Sequence, residues 1–526
     1  MKKTLLLITI LMLLSFTLRA QKEGLATIRK NDLKAYMTFF ASDELQGRET
    51  GTLANEEAAL YIKTNLMRMG LKPVPETGDY LQKMPLISSK IDKKETYLKV
   101  INSNGDPIFS TDSLVFLMIP SKTMDATGNV VFAGYGYENK NTGYDDLKDI
   151  DLKDKIVLMM TRSPELAASD SGKTIFDNSL ESKKLMTVFS KGPKAILYIY
   201  DPKNKFHDAY TSGLSEMTGS GSVSFKGQTG FSLPLQFAFI TQYAADMLLK
   251  TSGYNLKQMQ ERIATGGKPV SMELPGVKAS VRTAVENSDF LSPNVIGIVE
   301  GSDPVLKNEC VVYTAHFDHI GVNGKGEVNN GADDDASGSM ALLEVAQAFM
   351  NLKKEPLRSM VFVWVNGEEK GLLGSRYYTN NPVIPLEKTL LDINLDMVGR
   401  SKMSSDTGKL MGYNLSVTQP GEVLAYTAHE SSELLKMMTL SAQAAGIKVI
   451  DKGKDLEFGS SDHASFMAKG IHAFLFISGM HSDLHSTRDK VEKIDFDKME
   501  KVSKMVFLLG YKVANQKERI KLDKPK

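Results

Sequence analysis

Cys310-Val-Val-Tyr-Thr-Ala-His-Phe-Asp318 decides the fold of this 526-residue chain. A short run of β-branched and aromatic residues that ends on a histidine and a carboxylate reads as a buried strand with chemistry at its carboxyl end. The pattern recurs. Met360-Val-Phe-Val-Trp-Val365 leads into Glu368-Glu369, Leu391-Asp-Ile-Asn-Leu395 into Asp396, and Ala473-Phe-Leu-Phe-Ile477 into the loop that holds His485. Between the first two, residues 337–352 have the apolar spacing of a buried helix. Strands alternating with helices from residue 288 onward predict an α/β fold, a mostly parallel sheet covered by helices on both faces. Polar residues gathered where parallel strands end are the layout of an α/β active site.

Upstream of this region the pattern changes twice. Residues 25–84 have helical spacing, clearest over 53–69, and stop at Gly70-Leu-Lys-Pro73. Beyond residue 112 come short β runs, Val130-Val-Phe-Ala, Lys155-Ile-Val-Leu-Met-Met and Ala195-Ile-Leu-Tyr-Ile-Tyr, with a Gly- and Ser-rich surface loop expected over 211–230. That stretch has no His and carboxylate cluster and reads as a separate β-rich module. At the N-terminus, Lys2 and Lys3, an apolar stretch over 5–16 and small Ala20 are the features of a secretory signal too short to span a bilayer. The expected plan is therefore a signal peptide over 1–20, the N-terminal part of a catalytic domain over 21–111, an insert over 112–280 and the rest of the catalytic domain over 281–526. The mature protein is expected to be exported, periplasmic or extracellular, with no integral membrane segment.

Composition narrows the function. With 64 basic and 63 acidic residues the chain has no field to draw nucleic acid or an anionic membrane surface. One cysteine, Cys310, excludes an intramolecular disulfide and a cysteine-based zinc site, and its apolar run predicts a buried, inert thiol. Nothing in the sequence sets an oligomeric state.

The chemistry lies in five segments: His316-Phe-Asp318, Asp333-Asp334-Asp335, Glu368-Glu369, Asp396 and His485. A hydrolytic zinc site needs nitrogen ligands, carboxylates and a coordination position open to water. A two-metal site also needs a carboxylate that can bridge the ions. The i, i+2 spacing of His316 and Asp318 puts both on one face of a strand end, where Asp318 could hold the imidazole. Three successive carboxylates in a Gly-flanked loop are costly to pack unless a cation neutralises them. Singly, each segment has an ordinary reading: a surface His-Asp pair, a helix N-terminal loop, a solvated Glu-Glu. Asp396, in an otherwise apolar stretch, needs a partner in any reading.

Together and in this order the segments resemble the secreted di-zinc aminopeptidase family that also contains glutamate carboxypeptidases and zinc glutaminyl cyclases. The matching text is Thr314-Ala-His-Phe-Asp-His319, Asn330-Gly-Ala-Asp-Asp-Asp-Ala-Ser-Gly338, Asn366-Gly-Glu-Glu-Lys-Gly-Leu-Leu-Gly-Ser375, Asn394-Leu-Asp-Met-Val-Gly399, and Ser461-Asp-His463 followed by Leu484-His-Ser-Thr487. The resemblance implies two Zn2+ ions bridged by Asp334, with His316 and Asp396 completing one site and Glu369 and His485 the other. It makes Glu368 the general base and acid and Asp318 the residue that orients His316. The segment Phe40-Ala-Ser-Asp-Glu-Leu-Gln-Gly-Arg-Glu-Thr-Gly-Thr52 resembles the family's opening segment. Gly134-Tyr-Gly, Asp145-Asp-Leu-Lys, Lys155-Ile-Val and Lys194-Ala-Ile-Leu-Tyr-Ile are similar to an inserted protease-associated domain.

One position departs from the pattern: several relatives place a tyrosine before the last histidine, where this chain has Leu484. His463, or the metals themselves, would then support the oxyanion. The implied reaction is hydrolysis of a peptide bond, Glu368 taking the proton of a water shared by the metals and returning it to the leaving amine. Arg376, Arg400 and Arg488 are the candidates to meet a substrate carboxylate, and no arginine cluster is visible, which favours an aminopeptidase over a carboxypeptidase or dipeptidase of the same fold. A binding relative without activity is the alternative from another class, and the complete ligand set argues against it.

Overall fold

Four strands with both faces covered make the frame on which everything else hangs. The computed structural model describes residues 22–112, 114–115, 122–169, 178–204, 221–227, 236–410, 413–427, 431–453, 461–521 and 523, and divides into two compact units. The first comprises residues up to Pro85 together with Phe290–Lys526, and the second is Leu86–Asp289.

In the first unit the labelled elements are α1 (Lys30–Phe40), α2 (Leu53–Met69), β1 (Val285–Val299, in this unit from Phe290), β2 (Cys310–His316), α3 (Gly338–Met350), β3 (Ser359–Val365), α4 (Leu373–Asn380), β4 (Thr389–Leu395), β5 (Glu422–Thr427), α5 (Ser432–Ala445), β6 (Lys448–Gly453), α6 (His463–Met467), β7 (Ala473–Ile477) and α7 (Phe496–Ala514). The strands lie in the order β1-β3-β2-β4-β7-β5-β6. Neighbours among β3, β2, β4 and β7 are parallel, while β1 runs antiparallel to β3 and β5 antiparallel to β7. Every residue of β2, β3 and β4 is buried, because successive side chains feed opposite cores. Val311, Tyr313, Ala315, Phe362 and Trp364 pack with α1, α2, α3, α5 and α7. Val312, Val361 and Val363 pack on the other face with Tyr378 of α4 and Phe466 of α6. Cys310 is fully buried beside Thr389, and burial pushes its thiol up to about 12. That is the inert thiol its apolar run implies.

Helix α2 has the bounds its spacing gives. Thr52 accepts the Asn55 N–H at its start, Gly70 closes it in the left-handed region (φ 85°), and Ala58, Ala59, Ile62 and Leu66 form its buried stripe. On α3, Glu344 is fully buried. Its Oε2 accepts the Arg29 N–H at the start of α1 (3.0 Å), and its Oε1 has no partner. Burial raises this carboxyl to about 7. A raised folded-state pKa means stability that is complete below about pH 4.5 and falls as pH rises to 7, by about 3 kcal/mol. Glu344→Gln should therefore raise the denaturant midpoint relative to the parent at pH 8 and leave it nearly unchanged at pH 4.5. An equal offset at both pH values would refute the linkage.

The second unit has an eight-stranded sheet in the order Pro107–Thr111, Tyr97–Asn102, Met272–Thr283, Met124–Phe132, Ile156–Met160, Ala195–Ile199, Phe237–Ile240 and Leu114–Val115. Apolar cores lie on both of its faces. It is β-rich, as expected, yet it begins at Leu86 rather than 112 and ends at Asp289 rather than 280. Tyr97–Asn102 and Met272–Thr283 pair residue by residue, and Pro107–Thr111 pairs with Tyr97–Asn102, so these strands belong to this sheet. Within 211–230, where a loop was expected, Ser222–Phe225 is a strand, while 211–220 and 228–230 lie outside the described residues. The expected signal peptide also lies outside them. Among the described residues no helix is long and apolar enough to cross a membrane.

Candidate metal centre

The carboxyl ends of the four parallel strands converge on one polar cluster. His316 is the last residue of β2, Glu368 and Glu369 follow β3, Asp396 follows β4, and the loop beyond β7 brings in His485. Asp334 lies in the turn leading into α3 and sits at the centre. Its Oδ1 is 3.3 Å from His316 Nε2, and its Oδ2 is 3.1 Å from His485 Nε2 and 3.5 Å from His319 Nδ1. His316 Nε2 also lies 3.6 Å from Asp396 Oδ1, and His485 Nε2 lies 3.2 Å from Glu369 Oε2. Among the described residues two groups can hold a cation: His316, Asp334 and Asp396, and His319, Asp334 and Glu369, with ligand atoms within 4.8 Å of one another in each.

The fit to metal rests on orphaned atoms. His316 Nε2, Asp396 Oδ1, His319 Nδ1 and Glu369 Oε1 are buried without a hydrogen-bond partner, a cost that a shared cation removes. Charge gives the same answer. Burial raises Asp334, but the facing histidines outweigh it and hold its carboxyl well below the ordinary range. Burial pulls His316 and His485 down, and the facing carboxylates lift both well above the ordinary histidine value. Metal ions would replace those protons.

Asp318 does not hold His316 through its carboxylate, which lies 3.9 Å from Nδ1, too far for a hydrogen bond. The Asp318 backbone carbonyl does so at 3.1 Å, which puts the proton on Nδ1 and leaves the Nε2 lone pair facing Asp334 and Asp396. The carboxylate accepts the Glu368 N–H (3.1 Å) and the Thr50 hydroxyl (3.0 Å) instead. Glu368 is half-buried, and lost hydration together with the charges of Glu369, Asp462 and Asp396 pushes its carboxyl well up against the pull of His316. His463 is buried at the start of α6, which lowers it to about 4, and its Nδ1 has no partner. Among the described residues no ion pair joins His463 to a carboxylate. Leu484 packs against the cluster of Met397, Leu424, Tyr426, Leu475 and Ile477.

Several contributors went unread in the sequence. Of the three aspartates only the middle one faces the cluster. Asp333 accepts the Gly399 N–H (2.7 Å), and Asp335 accepts the N–H groups of Gly338 and Met397 (2.9 Å each), so the outer pair stitches the Asp396 loop to the turn before α3. Asp489 accepts the N–H groups of Asp333 and Asp334 (2.9 and 3.2 Å). Arg48 is fully buried and donates to the carbonyls of Phe317, Phe40, Asn330 and Gly331 at 2.7–3.0 Å, which locks two ligand loops together. Asp483 anchors the His485 loop through Lys493 (2.7 Å), Arg488 (2.9 Å) and Arg400 (3.1 Å). Arg48 had a signal in the quoted opening segment, and His319 closes the quoted Thr314–His319 motif; nothing marked Asp483 or Asp489.

The α/β fold with these side chains at its strand ends has counterparts among known proteins. Residues 294–509 match the model of peptidase family M28. A probable leucine aminopeptidase of Trichophyton verrucosum (strain HKI 0517) is 30% identical over 237 residues, which are 43% of this chain and 59% of that protein. This chain thus spans about three fifths of that relative's length. Leucine aminopeptidase 1 of Trichophyton rubrum is 25% identical over 50% of this chain and 67% of its own. Among solved structures, an aminopeptidase from Aneurinibacillus sp. strain AM-1 superposes with a TM-score of 0.59 at 19% identity, covering 95% of this chain and 97% of its own. A zinc aminopeptidase from Bacillus subtilis gives 0.52 at 18%, covering 94% and 98%. Those two likenesses establish the fold.

Proposed function

We propose that this protein is an exported zinc aminopeptidase that removes N-terminal residues from peptides, and the observation that carries the reading is Asp334 with one oxygen facing His316 and the other facing His485 and His319. In this reading one zinc ion is held by His316, Asp334 and Asp396 and the second by Asp334, Glu369 and His485. Bound zinc would supply a Lewis acid for the scissile carbonyl and a lower pKa for the attacking water. Glu368 accepts a proton from that water and delivers it to the leaving amine; its raised affinity for a proton in the unloaded chain suits that shuttle. Asp318 fixes the Glu368 backbone and, through its own carbonyl, the tautomer of His316. His463 is the candidate contact for the oxyanion. Leu86–Asp289 is read as a protease-associated domain that selects substrates.

The aminopeptidase names of the relatives favour the amino end over the carboxyl end of the substrate, and Arg400 and Arg488 are held by Asp483. Hydrolysis of a panel of free and N-acetylated peptides tests this directly. Free peptides should be shortened from the N-terminus and acetylated ones should be inert. Turnover that survives acetylation and stops on C-terminal amidation would replace this reading with a carboxypeptidase, and purified protein with neither bound transition metal nor turnover would leave a binding relative.

A further inference from the structure

We propose that His319 is itself a metal ligand, binding through Nδ1, so that the second ion has an interior histidine in addition to the more exposed His485. The proposal rests on the two-zinc reading above. His319 is fully buried, whereas the His485 side chain is 29% exposed. Nδ1 of His319 lies 2.9 Å from Glu369 Oε1 and 3.5 Å from Asp334 Oδ2. The shorter distance would suit a hydrogen bond, yet neither Nδ1 nor Oε1 has a hydrogen-bond partner, because the ring N–H direction does not meet the oxygen. Two polar atoms close together, both buried and not aimed at each other, are converging on a third. The same signature marks His316 Nε2 and Asp396 Oδ1 at the first position, 3.6 Å apart and both unpartnered.

The backbone is built to put the ring there. The His319 N–H donates to the Arg48 carbonyl (3.3 Å), and His319 bridges Glu49 in a short parallel contact. Gly331 sits in the left-handed region (φ 55°), and a Cβ on it would lie 2.5 Å from His319 Cγ, so the aspartate-bearing turn packs against the imidazole at a distance only glycine allows. Glu369 then divides its oxygens, Oε1 to His319 and Oε2 to His485. With two nitrogen donors the second position is the more zinc-selective and the slower to empty; the first, with one, is the position that exchanges.

The experiment uses the side-chain atom that faces the cluster. An asparagine oxygen falls near the place of Nδ1, and a glutamine amide falls near that of Nε2. Zinc affinities of the parent, H319N and H319Q are measured by competition with a chromophoric chelator, together with the visible spectrum of the Co(II)-loaded proteins. H319Q should weaken the tighter zinc by more than about 100-fold, beyond the 10–100-fold typical of outer-sphere partners. H319N should recover most of that affinity with a shifted Co(II) spectrum, oxygen having replaced nitrogen. Parent affinity and spectrum in H319Q would overturn the proposal, as would a 10–100-fold loss with an unchanged spectrum, which would make His319 a supporting residue. If H319Q fails to fold, an unchanged Co(II) spectrum in H319N overturns it and a shifted one supports it. A parent protein that binds no zinc would instead refute the two-zinc reading.

Discussion

Glu368→Gln should lower kcat by about 100- to 10,000-fold while bound zinc stays at the parent level. Glutamine keeps the volume and the backbone bond to Asp318 Oδ1, and removes only the ability to take a proton. The site concentrates that role in one group. Asp318 is engaged by Thr50 and the Glu368 N–H, while Glu369, Asp334 and Asp396 face the histidines as the proposed zinc ligands. Turnover on an aminoacyl nitroanilide and zinc analysis on the same sample check the expectation. Near-normal kcat would move the base elsewhere, and loss of zinc would make Glu368 a ligand.

Asp334→Asn should be more damaging and in a different way. Three histidine nitrogens lie within 3.1–3.5 Å of this carboxylate, His316 on one oxygen and His319 and His485 on the other. An asparagine keeps one acceptor and no charge, so neither position retains an anionic oxygen from the bridge. We expect both zinc affinities to fall together and kcat/KM to drop at least about 1,000-fold, roughly 4 kcal/mol of lost transition-state stabilisation. Asp335→Asn is the control, since Asp335 is bonded to the N–H groups of Gly338 and Met397 and should cost stability before it costs metal. Equal zinc binding in the parent and Asp334→Asn would remove the bridge from the mechanism.

The parts of this molecule that could be read from its sequence are those where one physical effect dominates. Burial on both faces makes β2 and β3 unbroken apolar runs, and Thr52 and Gly70 mark both ends of α2. The unit boundary was harder because Tyr97–Asn102 and Pro107–Thr111 are short strands with exposed polar positions, and only their pairing assigns them to a sheet. Within the site, the residues that project from strand ends were legible by type and spacing. Those that act by accepting or donating to main chain were not. Arg48 reaches a carbonyl 269 residues away, and Asp489 reaches N–H groups more than 150 residues away. Such partners have no local pattern, since any acceptor at the right place would serve. The carbonyl of Asp318, not its carboxylate, supports His316 for the same reason: backbone groups are invisible to a reading by side-chain type.

The interruption of the first unit by Leu86–Asp289 orders events in time. A growing polypeptide can close the interior unit as soon as residue 289 is available, because that sheet draws all its strands from one continuous stretch. The proposed metal centre must wait. Arg48, made early, finds three of its four carbonyls only at residues 317–331, Glu369 and Asp396 follow, and His485 and the packing helix α7 come last. A form that ends before residue 485 lacks one of the proposed ligands. Under the proposed function, peptide hydrolysis is thus withheld until the chain has passed His485, an order set by where these side chains stand along it.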